Sequence, residues 1–136
     1  MVLITCVDQK NGLGFNGRRQ TSDSAVYADI CKYAEDHFCG IDMASDTMLA
    51  LENYLKLTGQ EEHPLFTEPK EARFAELDDC KGLDDIYEML ILYRWDKTYP
   101  ADIRLEIGMQ NYALVEQHEM VGSSHKKIVR EVYQHI

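Results

Sequence analysis

Apolar side chains occupy nearly every position from Val2 to Val7, and the next stretch, V-D-Q-K-N-G-L-G-F-N-G-R-R-Q-T-S-D (7–23), holds three glycines and two adjacent arginines. A strand apolar on both faces belongs in the middle of a covered sheet, which fixes where the loop after it must emerge. Asn11-Gly12 and Asn16-Gly17 tolerate positive φ, while Leu13 and Phe15 anchor the loop. A helical pattern follows, so the loop stands at a strand-to-helix junction, where backbone donors collect and a ligand can be held.

Thr21, Ser22 and Asp23 offer N-caps for a helix from about residue 22 to 36, with Val26, Ile30 and Ala34 as its buried stripe. Phe38 to Met43 reads as a second strand interrupted by Gly40. Ser45-Asp46 then caps a second helix that buries Met48, Leu49, Leu51, Leu55 and Leu57 and stops at Gly59. From Gln60 to Asp85, Pro64, Pro69 and Gly82 punctuate a charged stretch, which predicts an irregular excursion with one short helix. Met89 to Trp95, Ile103 to Ile107 and Tyr112 to Val115 read as strands. After Gly122-Ser123-Ser124, the recurrence of Ile128, Val129, Val132, Tyr133 and Ile136 predicts a C-terminal helix; strand alternation is the alternative. The expectation is an α/β protein, a single compact domain over 1–136 with a central mixed sheet flanked by helices.

A formal charge of −10 argues against direct binding of nucleic acid, which needs a basic face to release counterions. No apolar run approaches the roughly 18 residues of a membrane span, and the first residues lack a basic leader, so a cytoplasmic location is expected. Cys6, Cys31, Cys39 and Cys80 form no C-x-x-C pair and read as buried free thiols. His37, His63, His118, His125 and His135 share no metal-ligand spacing, so neither a metal nor another cofactor is expected.

Three constellations could carry chemistry. Asn16 and Gly17 with Arg18 and Arg19 suit a phosphate or carboxylate, the alternative being a surface turn whose arginines pair with nearby acids. Asp23 or Asp29 could hold an amidine-like edge of a heterocycle; otherwise Asp23 caps the helix and Asp29 faces solvent. Ser123 and Ser124, at the start of the expected last helix, could offer free amides to an anion, or simply cap it.

The opening V-L-I-T-C-V-D-Q-K-N-G-L-G-F-N-G resembles dihydrofolate reductase, in which a first strand enters a mobile V-D-x-x-x-x-I-G-x-x-G loop. Later, F-C-G-I-D-M-A-S-D-T looks like the family's Gly-Arg-x-Thr phosphate site. M-V-G-S-S-H-K-K-I-V-R-E-V-Y looks like its Gly-Gly turn and following helix, and a rival alignment sets T-Y-P-A-D and Y-A-L-V-E against its C-terminal hairpin. The departures are specific. The family's Leu-Pro-Trp after Asn-Gly is replaced by Arg19-Gln20-Thr21, and the folate acid's place falls at Ala25. The phosphate-binding arginine is missing from Ala44-Ser45-Asp46-Thr47, where Asp46 would repel a 2′-phosphate. F-N-G-R-R-Q-T-S-D and G-S-S-H-K-K-I also resemble a family of short uncharacterised bacterial proteins, some labelled ribonuclease Z. The H-x-H-x-D-H cluster such a nuclease needs is absent.

The resemblance implies a reduced reductase-like domain that binds a small anionic or nucleotide-like ligand without NADPH-dependent reduction. The rival from another class is an acidic interaction module, of host or phage origin, covering a basic partner's nucleic-acid-binding surface. A homodimer and an enzyme using His125 or a cysteine are the remaining alternatives.

Overall fold

β1 (Val2–Val7) lies inside a six-stranded sheet, as its two-faced apolar sequence requires. The computed structural model describes residues 1–60 and 62–136; Glu61, in the charged stretch from Gln60 to Asp85, lies outside the described residues. The sheet runs in the order β4 (Gly40–Asp42), β5 (Lys70–Phe74), β1, β6 (Met89–Trp95), β9 (Ile128–His135), β8 (Tyr112–Met120). Its first four strands are parallel; β9 is antiparallel to β6, and β8 to β9. A second sheet of three short strands, β3 (Arg18–Arg19), β2 (Gly12–Phe15) and β7 (Ile103–Arg104), carries the glycine segment.

α1 (Ser24–His37) and α2 (Ser45–Leu57) feed one core: Val26, Ile30, Leu51 and Leu55 pack with Ile4, Ile41, Ala72, Ile91 and Ile128. Burying each of these Val, Leu and Ile side chains contributes about 1.5–3 kcal/mol. On the other face Leu3, Val7, Leu90 and Leu92 meet Leu13, Tyr87, Leu105 and Ile107, which come from β2 and irregular segments. The stripe expected for α1 is the one it buries, and Asp23 is its N-cap. α2 starts one residue earlier than its polar pair suggests: Ala44 is the N-cap and makes no side-chain bond, so Ser45 and Asp46 belong to the first turn. No helix among the described residues is long and apolar enough to cross a membrane.

Two expectations are overturned. The excursion after Gln60 has the short helix expected of it, a single turn at Pro64–Phe66, but also contains a full strand, β5, next to β1. Lys70, Glu71 and Arg73 disguise it, but Ala72 and Phe74 alternate into the core. The last segment is β9, not a helix, and forms a hairpin with β8, so of the two alignments only the one ending in a hairpin fits. Its β-branched residues suit a strand. Its charges are accommodated by partners: the Glu131 carboxylate takes the Arg94 guanidinium at 3.1–3.2 Å, and Arg130 donates to Asp29 and Glu116. β8 is longer than the Tyr112–Val115 run suggests, and only Ile103–Arg104 of the Ile103–Ile107 run is strand.

Candidate functional site

The glycine loop is a hairpin. Phe15 pairs with Arg18 across Asn16 and Gly17, at φ 52° and 71°, and a two-residue connection with both φ positive is the turn that Asn-Gly serves best. Gly14 is needed for a different reason: a methyl group there would overlap the Arg18 carbonyl oxygen and the end of Leu77. Asp8, which the sequence analysis did not single out, holds the base of the hairpin. Its carboxylate accepts the amides of Lys10 and Gly12, both at 2.8 Å, the Gln20 side-chain amide at 2.9 Å and the Tyr99 amide at 3.1 Å. Burial alone would raise its pKa; these donors, Gly12 and Lys10 foremost, bring it below the usual carboxylate value.

The hairpin forms one wall of a cleft of about 750 Å³. Gly17, Arg18 and Arg19 line it on that side. Asp42, Met43, Ala44 and Asp46 come from the end of β4 and the first turn of α2, and Arg73 to Asp78 from the end of β5. Parallel strands of α/β sheets present ligands with this end, where the loops leave the carboxyl termini. Within the cleft Arg19 donates to Glu76 at 3.0 Å, and the other Glu76 oxygen accepts the buried Thr47 hydroxyl. Burial opposes the Arg19 charge, yet Glu76 raises its pKa on balance. Arg73 pairs with Asp78 at 2.8 Å. Arg18 is exposed and, among the described residues, makes no ion pair. Of the residues expected to bind ligand, Gly17, Arg18 and Arg19 thus line one cleft, while Asn16 shapes the turn and donates its amide to Asp102 at 3.2 Å.

Asp23, Ser123 and Ser124 come together elsewhere. The Asp23 side chain is fully buried, and six donors surround it: the amides of Ala25, Ser123 and Ser124, the hydroxyls of Ser123 and Ser124, and His125 Nδ1, at 2.8–3.1 Å. The serine amides expected at a helix N-terminus therefore have no helix behind them and are donated to a carboxylate of the chain itself. Burial pushes the Asp23 pKa up, but the Ser123 and Ser124 amides, with His125 and Ala25, hold it well below the ordinary range. With Nδ1–H given to Asp23, His125 Nε2 accepts the Tyr99 hydroxyl at 3.0 Å, and the ring stacks on Trp95 at 4.4 Å. Every polar atom in the cluster is occupied, which is what a structural clasp between α1 and the β8–β9 hairpin requires.

Asp29 does not face solvent. It accepts the Tyr93 hydroxyl at 2.6 Å and the Arg130 guanidinium at 2.9–3.0 Å, on the wall of a second cavity of about 360 Å³. The four cysteines are free; Cys31, Cys39 and Cys80 are buried and Cys6 partly so. Burial pushes the Cys31 thiol up to about 12 and Cys80 to about 11, and raises Cys39 and Cys6 as well, against thiolate chemistry.

No protein-family model and no curated protein matches the sequence. The structure is similar to dihydrofolate reductase from Enterococcus faecalis, solved in complex with NADP(H) and RAB-propyl. The TM-score is 0.59 at 11% identity, covering 99% of this chain and 96% of that one. The chain therefore has a dihydrofolate reductase-like α/β fold.

Proposed function

We propose that this reductase-like scaffold is a small-ligand-binding domain whose cleft takes an anionic or nucleotide-like ligand, without NADPH-dependent reduction. The observation that carries the reading is the guanidinium of Arg18, without an ion pair among the described residues, on a glycine-jointed hairpin bordering a cleft at the carboxyl ends of β4 and β5. The uncapped first turn of α2 adds backbone donors on the opposite side. The donor set does not suit NADPH. The first turn of α2 presents Asp46 and no basic residue, a poor seat for a 2′-phosphate. The Asp23 carboxylate, enclosed by its own chain, has no acceptor capacity left for a heterocycle.

A thermal-shift panel of nucleotides and folates tests the reading, because a ligand at about 100 times its dissociation constant adds roughly 2.7 kcal/mol to stability. Arg18→Ala should weaken binding about tenfold or more, the worth of one charge-assisted hydrogen bond, and leave stability within about 0.5 kcal/mol. Absence of any shift, or an Arg18→Ala/Arg19→Ala variant that binds like wild type, counts against it.

A second reading, the acidic module that covers a basic partner, is supported by β8. From Ala113 to Glu119 this terminal strand is exposed throughout and carries Leu114 and Val115 beside Glu116 and Glu119, which pair within the hairpin with Arg130 and Lys127. A sheet edge of that kind can accept a partner's strand. Capture of one basic protein that weakens steeply between low and physiological salt is the expected result; capture indifferent to salt argues against it.

A further inference from the structure

We infer that the ligand of the cleft is a ribonucleotide with a free 2′-hydroxyl, its phosphate on Arg18 and its ribose hydroxyls on Asp42 and Asp46. The inference rests on the cleft being a nucleotide-like site and specifies what that site selects. Seven charged side chains line it: Arg18, Arg19, Arg73, Asp42, Asp46, Glu76 and Asp78. Four are consumed in the pairs Arg19–Glu76 and Arg73–Asp78. Arg18, Asp42 and Asp46 remain exposed and without ion pairs among the described residues. One Asp46 oxygen accepts only the neighbouring Thr47 amide, at 3.0 Å.

One cation and two carboxylates free of ion pairs among the described residues define a ligand with two ends. A purely anionic molecule would satisfy Arg18 and meet two like charges, whereas a simple cation would leave the guanidinium unused. A phosphate joined to a vicinal diol meets both demands, because ribose hydroxyls donate to carboxylates and carry no charge. The same chemistry lets an acidic residue at the end of a strand hold a ribose 2′-hydroxyl in α/β nucleotide sites, where an arginine instead accommodates a 2′-phosphate. Asp42, at the end of β4, and Asp46, in the first turn of α2, are acids of that kind, and the arginines nearest them, Arg73 opposite Asp42 on β5 and Arg19 on the hairpin, are held by Asp78 and Glu76.

Isothermal titration with the four ribonucleoside 5′-monophosphates, their 2′-deoxy counterparts and their 2′,5′-bisphosphates tests the selection. At least one ribonucleotide should bind, its deoxy form about tenfold more weakly for the lost hydrogen bond to a charged group. The 2′-phosphorylated form should be weaker by more than tenfold, and Asp46→Asn should narrow both gaps to about threefold. Equal affinity for the ribo, deoxy and 2′-phosphorylated forms would overturn this inference and leave the anion-binding cleft intact. Failure of every nucleotide to bind would also overturn this inference, and the broader reading falls with it only if the folates of the thermal-shift panel give no shift either.

Discussion

Replacing Asp23 by alanine is expected to lower the melting temperature by roughly 10–20 °C, the equivalent of about 3–5 kcal/mol. The substitution removes one acceptor and strands several donors at once. The Ser123 and Ser124 amides, which lie about 100 residues away in sequence, bond to Asp23 at 2.8 and 2.9 Å, and His125 Nδ1 at 3.1 Å. Left unpaired in a buried place, each such group costs its own desolvation. The pH dependence follows from the depressed titration of the folded-state carboxyl. An unfolded aspartate titrates near pH 3.9, so the contribution of Asp23 is fully present above that value and is lost as the pH falls toward the lower folded-state value. Urea unfolding of wild type and Asp23→Asn should therefore show a gap that is constant from pH 7 to about 5 and narrows below about 4. A gap unchanged down to pH 2.5, or an alanine variant within 1 kcal/mol of wild type, would mean that the clasp is not a source of stability.

The clasp also shows why parts of the site could be read from sequence and others could not. Asp23, Ser123 and Ser124 were each legible as residues that bind something charged or polar, since short hydroxyl and carboxylate side chains beside turns usually do. That they satisfy one another depends on a hairpin between β8 and β9 that brings residue 123 back to the start of α1. The hairpin was hidden by arithmetic. Ile128, Val132 and Ile136 recur every four residues, which suits one face of a strand and nearly suits one face of a helix. What decides is the ion pair of buried Glu131 with Arg94 and of half-buried Arg130 with Asp29, pairings that no local pattern announces.

The cleft divides along the same line. Its hairpin wall was visible because Asn-Gly and adjacent arginines are local signals. The opposite wall depends on β5 lying parallel to β1 with Val2 opposite Ala72 and Ile4 opposite Phe74. Only that register carries Glu76 and Asp78 to the hairpin, and a strand spelled K-E-A-R-F gives little apolar warning of it. β1 and β6 posed no such difficulty. Their apolar runs leave no other state that buries both faces.

Gly40→Ala should be nearly as damaging, at about 3 kcal/mol, for a reason of space rather than chemistry. A methyl group on Gly40 would overlap the Thr67 carbonyl oxygen and stand 2.9 Å from Lys70 Cδ and 3.0 Å from the Thr67 carbonyl carbon. The lysine can swing away, but backbone cannot. Relief requires β4 to separate from β5 or the segment around Thr67 to retreat, and either movement strains the bond from the Gly40 amide to Pro69 at 3.3 Å. β4 is the last strand of the sheet and holds Asp42 at the cleft, so its displacement reaches the site. The variant should accordingly lose stability in denaturant titrations and exchange the Ile41 and Asp42 amides faster than wild type, with nucleotide affinity falling in parallel. If the cost is below about 0.5 kcal/mol and exchange at β4 is unchanged, the neighbouring segment yields freely and the close approach at Gly40 does not position the cleft.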